Sequence, residues 1–252
     1  MMHRYFEINE SGHNIRCKLY CQDMKDIRKI VVFAHGFGGH KDNGAAEKFA
    51  QRLITKHKGS ALITFNWPSH GDDVKKALQL EDCTAYLSLV IEHLRRKYQT
   101  DELYCYATSF GGYLTLRYIH AQGNPFRKIA LRCPAVDMYR ILTHTIITES
   151  DLAQIRKGKP VPVGFDRKIL VPPAFLEELK QQDIRQLDFL DYAEDLLILH
   201  GTADEIVPFE DAYSFADDNL IEFIPVDNAD HRFRDPQKME FAIKQILAFF
   251  AL

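Results

Sequence analysis

Three short stretches of the 252-residue sequence hold residue types that together could make a hydroxyl reactive. The first, "CYATSFGGYLTL" at residues 105–116, sets Ser109 between two apolar runs, with Ala107 two places before it and Gly111 two places after. If the strand-like "ELYCYA" turns there into a helix beginning near Phe110, the turn strains the serine's backbone. It also brings strand and helix so close that the flanking residues must be small. The carboxyl end of a parallel strand is where open α/β sheets place ligands. The helix start directs free N–H groups at that point, and the one from Phe110 could hold a negative oxygen. Alone, the pattern recurs by chance, and a loop that happens to contain a serine accounts for it equally well.

A serine hydroxyl is a weak nucleophile unless a base takes its proton and a third group steers the base. "DNADHRFRDP" supplies His231 in a polar loop before the last helix, and "LILHGTADEIVP" supplies Asp204 four residues beyond His200, between Gly201 and Pro208. Each has an ordinary explanation by itself, as one surface histidine among eleven and as a turn aspartate capping a helix. Chance does not readily give Ser109, Asp204 and His231 in that order, each just after a different strand. That is the chain order of one known triad arrangement.

The elements that must position them alternate. "KIVVFAHGF" from Lys29 is a short, β-branched apolar run, as expected of a strand buried on both faces. "NGAAEKFAQRLITKH" puts Ala46, Phe49, Ala50, Leu53 and Ile54 on one helical face, with Asn43 placed to cap it. "SALITFNW" is a second strand, and Leu80 to Tyr98 is an amphipathic helix that Gln99 to Asp101 break. "ELYCYA", "KIALRCP", "DLLILHG" and "LIEFIPV" add strands, "FGGYLTLRYIHA" a helix, and "PQKMEFAIKQILAFFAL" a closing helix that opens on proline. Such alternation demands an α/β fold with a doubly wound, mostly parallel sheet. The interval 135–190, with its proline and glycine clusters "KGKPVPVGF" and "VPPAF", breaks the rhythm and reads as an inserted cap. The expected division is 1–134 and 191–252 for the core and 135–190 for the cap.

Composition bounds the rest. The chain is 46% apolar and 27% charged with a net charge of −3, so it can bury one large core and presents no basic face for nucleic acid or anionic lipid. No run approaches a membrane span and no export signal stands at the start, which favours a cytoplasmic protein. Five scattered cysteines, 17, 21, 83, 105 and 133, form neither a disulfide framework nor a zinc pattern. No metal or organic cofactor is expected.

The stretches "AHGFGGHKDN", "FNWPSHGDD", "ATSFGG", "HGTADEIVP" and "NADHRF" together resemble the α/β-hydrolase superfamily. The similarity is to its capped members of monoglyceride lipase and cinnamoyl (feruloyl) esterase type, and runs from about Lys29 to Leu252. The resemblance implies Ser109, Asp204 and His231 as the catalytic triad, the backbone N–H groups of Phe37 and Phe110 as the oxyanion hole, and structural roles for His35, His40 and His70. Gly36, Gly38 and Gly39 would let the backbone approach a substrate closely. Two departures stand out: Ala107 where the family usually has glycine, and Asn66 with Pro68 and Ser69 where it commonly has an aspartate-led Gly-His-Gly loop. The implied activity is hydrolysis of a small-molecule carboxylic ester through an acyl-enzyme, with feruloyl-type esters as one option. Tyr139, His144, Phe165 and Phe175 either shape an acyl pocket or form the cap's own core. The same machinery could serve a thioesterase, a monoacylglycerol lipase or a peptidase, or lie idle in a small-molecule receptor. A homodimer is compatible with all of these.

Overall fold

The computed structural model describes residues 1–73, 77–164 and 167–252. The chain begins with two strands that the reading above left unassigned, β1 (Met2–Glu10) and β2 (His13–Cys21), paired antiparallel through Ser11 and Gly12, both at positive φ. A two-residue turn of that conformation matches the twist of a hairpin. The charged residues of β1 lie on a largely exposed edge strand, so the run lacks the continuous apolar character that marks the central strands.

The expected α/β architecture follows. β3 (Lys29–Ala34), α1 (Gly44–Lys56), β4 (Ser60–Phe65), α2 (Leu80–Tyr98), β5 (Leu103–Thr108), α3 (Phe110–Gln122) and β6 (Ile129–Arg132) alternate as the hydrophobic pattern requires. The 135–190 interval folds into α4 (Met138–Ile141), α5 (Glu149–Arg156), the small hairpin β7 (Val161–Val163) and β8 (Ile169–Val171), and α6 (Pro173–Gln181). The chain returns through β9 (Leu196–Gly201), α7 (Phe209–Asp218), β10 (Glu222–Val226) and α8 (Pro236–Phe250). The eight-stranded sheet runs β1-β2-β4-β3-β5-β6-β9-β10, antiparallel at β1/β2/β4 and parallel from β4 to β10.

Two apolar layers flank the sheet. One contains α1 and α8, where Phe49, Leu53, Ile243 and Phe250 pack on Val31, Phe33 and Leu199. The other contains α2 and α3 and extends without a break into the 135–190 segment, through Ile141, Phe175 and Leu179. That segment is fastened by Tyr113 Oη donating to the Gln182 carbonyl (2.9 Å) and by Leu80 N–H donating to Glu178 (2.8 Å). Asn43 caps α1 as its sequence position suggests, accepting from Ala45 and Ala46 N–H at 2.9 and 3.1 Å. All five cysteines are free thiols buried in these layers. No helix among the described residues is long and apolar enough to cross a membrane.

Register decides what meets at the carboxyl edge. Ala34 pairs with Ala107, Thr108 with Arg132, and Gly201 with Val226, so the turns after β3, β5, β9 and β10 converge there.

Candidate active site

Ser109 lies between β5 and α3 with φ 51° and ψ −119°, a conformation that costs a non-glycine residue energy and persists only where the surroundings over-determine it. They do. Ser109 N–H donates to the Arg132 carbonyl (3.1 Å), while the Ser109 carbonyl accepts from Gly112, Tyr113 and Ala135 N–H at 2.9, 3.2 and 3.1 Å. The need for small neighbours has a direct cause: a Cβ on Gly111 would lie 2.2 Å from the Ala34 carbonyl oxygen. Gly111→Ala is therefore expected to destabilise the fold by about 3 kcal/mol or more, the upper range for overpacking, because the obstacle is main chain. Urea melts against Gly44→Ala, where an added Cβ meets nothing within 4 Å, would measure it.

The turn after β3 packs against the serine. A Cβ on Gly36 would come within 3.1 Å of Ser109 Cβ and 3.7 Å of its Oγ. His35 holds this turn in shape: its Nδ1 pairs with the Gly36 carbonyl (2.9 Å) and its Nε2 accepts from Trp67 N–H (3.3 Å), so both ring nitrogens of the neutral imidazole are used. Trp67 Nε1 donates to the His35 carbonyl (2.9 Å), and Gly39 N–H to the Gly36 carbonyl (2.9 Å). Among the described residues, the backbone N–H groups of Phe37 and Phe110 have no hydrogen-bond acceptor within the fold. The rings of Phe37 and Phe110 meet edge to face at 5.8 Å, which keeps the two turns in step.

The loop that departs from the family pattern still closes. Asn66 Oδ1 accepts from Lys41 N–H (2.7 Å), tying the loop after β4 to the one after β3. His70 is buried against Phe110 and Phe37, its Nδ1 bonded to the Pro68 carbonyl at 2.9 Å. Burial pushes its imidazole down to about 4, and pushes His35 well below the usual histidine range. The sign follows: unfolded, His70 takes up a proton near its ordinary pKa of ~6.5, but folded it resists until about 4. Its contribution is complete above pH ~6.5 and is lost as pH falls toward 4, amounting to at most roughly 3 kcal/mol. Thermal melts of wild type and His70→Gln between pH 4 and 7 should therefore converge at the acid end; a constant gap would refute neutral burial.

Asp204 and His231 meet. His231 Nδ1 lies 2.8 Å from Asp204 Oδ2, while Asp204 Oδ1 accepts Ile206 and Val207 N–H at 2.9 and 2.8 Å. Their loops are stitched by Thr202 N–H to the Val226 carbonyl (3.0 Å) and Ala203 N–H to the Ala229 carbonyl (3.1 Å). Gly201 permits this contact, since a Cβ there would lie 2.2 Å from the Ala229 oxygen. Burial opposes ionisation of Asp204, but hydrogen bonds from His200 and His231 outweigh it and hold the carboxyl far below the usual carboxylate range. His200 is an anchor that the motif reading did not single out: its Nε2 lies 3.2 Å from Asp204 Oδ2 and 3.1 Å from the Val207 carbonyl. Cys133 joins them, its thiol raised well above the ordinary range by burial and then by the Asp204 charge, and so kept protonated beside the carboxylate.

Ser109 and His231 line one cavity of about 390 Å³, together with the Gly36–Gly39 turn and the start of α1. Its charged lining was not foreseen: Arg132, Arg167 and Arg232 border it with His40 and Asp42. Only Arg132, a charge ending the otherwise apolar strand "KIALRCP", carried a signal in the sequence. Three of the residues weighed as an acyl pocket, Tyr139, His144 and Phe175, do not line this cavity. Phe175 is fully buried and packs on Phe110 at 6.2 Å, Tyr139 packs on the same core, and His144 Nδ1 bonds to Thr143 Oγ1 and the Arg140 carbonyl. Phe165 lies outside the described residues.

The sequence from residue 52 to 252 matches the prolyl oligopeptidase family. No curated protein matches the chain significantly. Among solved structures it is similar to Est1E from Butyrivibrio proteoclasticus with ferulic acid bound (TM-score 0.78, 15% identity, covering 98% of this chain and 100% of that one). It is also similar to alpha/beta hydrolase domain-containing protein 10 from mouse (0.73, 16%, 98% of each). A third is a monoacylglycerol lipase from Paleococcus ferrophilus (0.66, 18%, 94% of this chain and 98% of that one). At such identities the structural likeness speaks for the fold, and it extends over the N-terminal strands that the family match omits. The chain has the α/β-hydrolase fold, by its sheet and its likeness to these structures, and belongs to the prolyl oligopeptidase family.

Proposed function

We propose that this hydrolase is a serine esterase that cleaves small carboxylic esters through Ser109, His231 and Asp204. The observation that carries the reading is the 2.8 Å contact of His231 Nδ1 with the buried Asp204, with His231 lining the same cavity as the strained Ser109 turn. With Nδ1–H given to Asp204, the imidazole keeps Nε2 as the acceptor for the serine proton. Ser109 Oγ attacks the ester carbonyl, the Phe37 and Phe110 amides receive the oxyanion, and His231 returns the proton to the leaving alcohol. Water then releases the acyl group by the same steps in reverse.

Peptidase activity, which the family name suggests, would need an acidic or carbonyl cluster to hold a free amine. Among the described residues the one carboxylate lining the cavity, Asp42, already accepts from Tyr5 Oη (2.6 Å) and pairs with Lys18 and Lys41 at 3.1 and 3.3 Å. That favours an ester over an amine-bearing peptide. The 135–190 segment reaches the cavity through Arg167, consistent with a cap that shapes one wall.

A panel of p-nitrophenyl esters of rising chain length, run beside methyl ferulate and a dipeptide anilide, tests the reading. Short esters should be turned over, with a rate that rises with pH as an imidazole base loses its proton. Cleavage of the anilide alone would replace esterase by peptidase, and a flat pH profile would count against His231 as base.

A further inference from the structure

Among the described residues, one buried cation has no anion to match it. Arg132, the last residue of β6, is 7% exposed. Its Nη1 points at the Met239 thioether sulfur (3.4 Å), its guanidinium carbon lies 5.2 Å from the centroid of the Phe233 ring, and its Nε is buried without any hydrogen-bond partner. Among the described residues no carboxylate lies within ion-pair distance of it, although a buried arginine is as a rule paired. An arginine cannot shed its proton to escape the cost, so a thioether and an aromatic face are poor compensation.

The cavity that Arg132 lines is the one that exposes Ser109 and His231, and its other charged walls share the sign. Arg167 borders it, and the start of α1 adds the positive end of a helix dipole at Gly44. The acid among the described lining residues, Asp42, is neutralised by two lysines. A neutral ester would leave this field unanswered, whereas a planar carboxylate matches the guanidinium fork.

We propose that the cavity takes an ester one half of which bears a free carboxylate, and that Arg132 is the residue that receives it. The proposal rests on the serine esterase reading and adds the class of substrate to it. The carboxylate belongs to the acid half, as in a dicarboxylic half-ester, or to the alcohol half, as in an ester of a hydroxy acid; the chemistry recognised is the same.

Two substrate pairs separate the sources: p-nitrophenyl hydrogen glutarate against p-nitrophenyl butyrate for the acid half, and carboxymethyl butyrate against ethyl butyrate for the alcohol half. In one pair, wild-type kcat/KM should favour the anionic member at least about tenfold, the size of one charge-assisted contact. The ratio should fall to near one in Arg132→Met and recover in part in Arg132→Lys. Glutarate should inhibit the wild type competitively and glutaramide should not, a comparison that needs no variant. Ratios near one in both pairs, without glutarate inhibition, would overturn the proposal, as would inorganic phosphate inhibiting as strongly as glutarate. If no ester is turned over, the esterase reading falls, and calorimetry on Ser109→Ala then judges the subsite alone: glutarate binding that disappears in Ser109→Ala/Arg132→Met sustains it, and absence of binding ends it.

Discussion

Ser109→Ala is expected to lower kcat on the best ester by about six orders of magnitude, the loss known when a serine nucleophile is removed from an intact triad. It should also abolish labelling by a fluorophosphonate probe. The fold should survive, because the serine's structural work is done by its backbone: the N–H to the Arg132 carbonyl and the carbonyl accepting from Gly112, Tyr113 and Ala135. One strained feature persists in the variant, since alanine must also occupy φ 51°. The measurement is kcat and probe labelling beside a thermal melt. Equal labelling of wild type and variant would place the reactive nucleophile elsewhere than Ser109, and no labelling of the wild type would favour a receptor over an enzyme.

The second large effect concerns Asp204→Asn, which should cost about four orders in kcat with KM little changed and a loss of stability that is small beside it. The reason is the direction of each bond. Asp204 Oδ1 is committed to two backbone N–H donors, Ile206 and Val207, so in the variant the amide oxygen must take that side and the NH₂ must face the histidines. An NH₂ opposite His231 Nδ1 makes that nitrogen an acceptor and moves the imidazole proton to Nε2, where it can no longer receive the proton of Ser109. His200 Nε2, a donor 3.2 Å from the same Asp204 oxygen, would then face a second donor, so that bond is lost while the two backbone N–H groups keep position 204 in place. Comparable losses in kcat and in thermal stability would indicate that Asp204 serves the fold rather than the base.

The parallel sheet was legible from local pattern because each central strand is short, apolar and bounded by glycine or a polar turn, and because the helices α1, α2 and α8 repeat apolar residues on one face. The N-terminal hairpin escaped the same reading. Its edge strand faces water on most of its length, so the pattern that reveals burial is missing from it. Tyr139, His144 and Phe175 show the opposite limit: their types suited a pocket, but their side chains are spent on the core and on local backbone bonds.

For the site, residue order determined the candidates. Ser109 between small residues, Asp204 in a glycine-bounded turn and His231 before a proline-led helix could be named from the chain alone, because strained turns, tight packing and helix starts each demand particular residues at short range. Long-range register decided what stands around them. It paired Thr108 with Arg132 and Gly201 with Val226, set the Asp204 and His231 loops against each other, and brought Arg132, which meets no carboxylate among the described residues, to the wall beside the serine. Such neighbours are separated by tens of residues and held by backbone pairing and packing, whose partners no short stretch specifies.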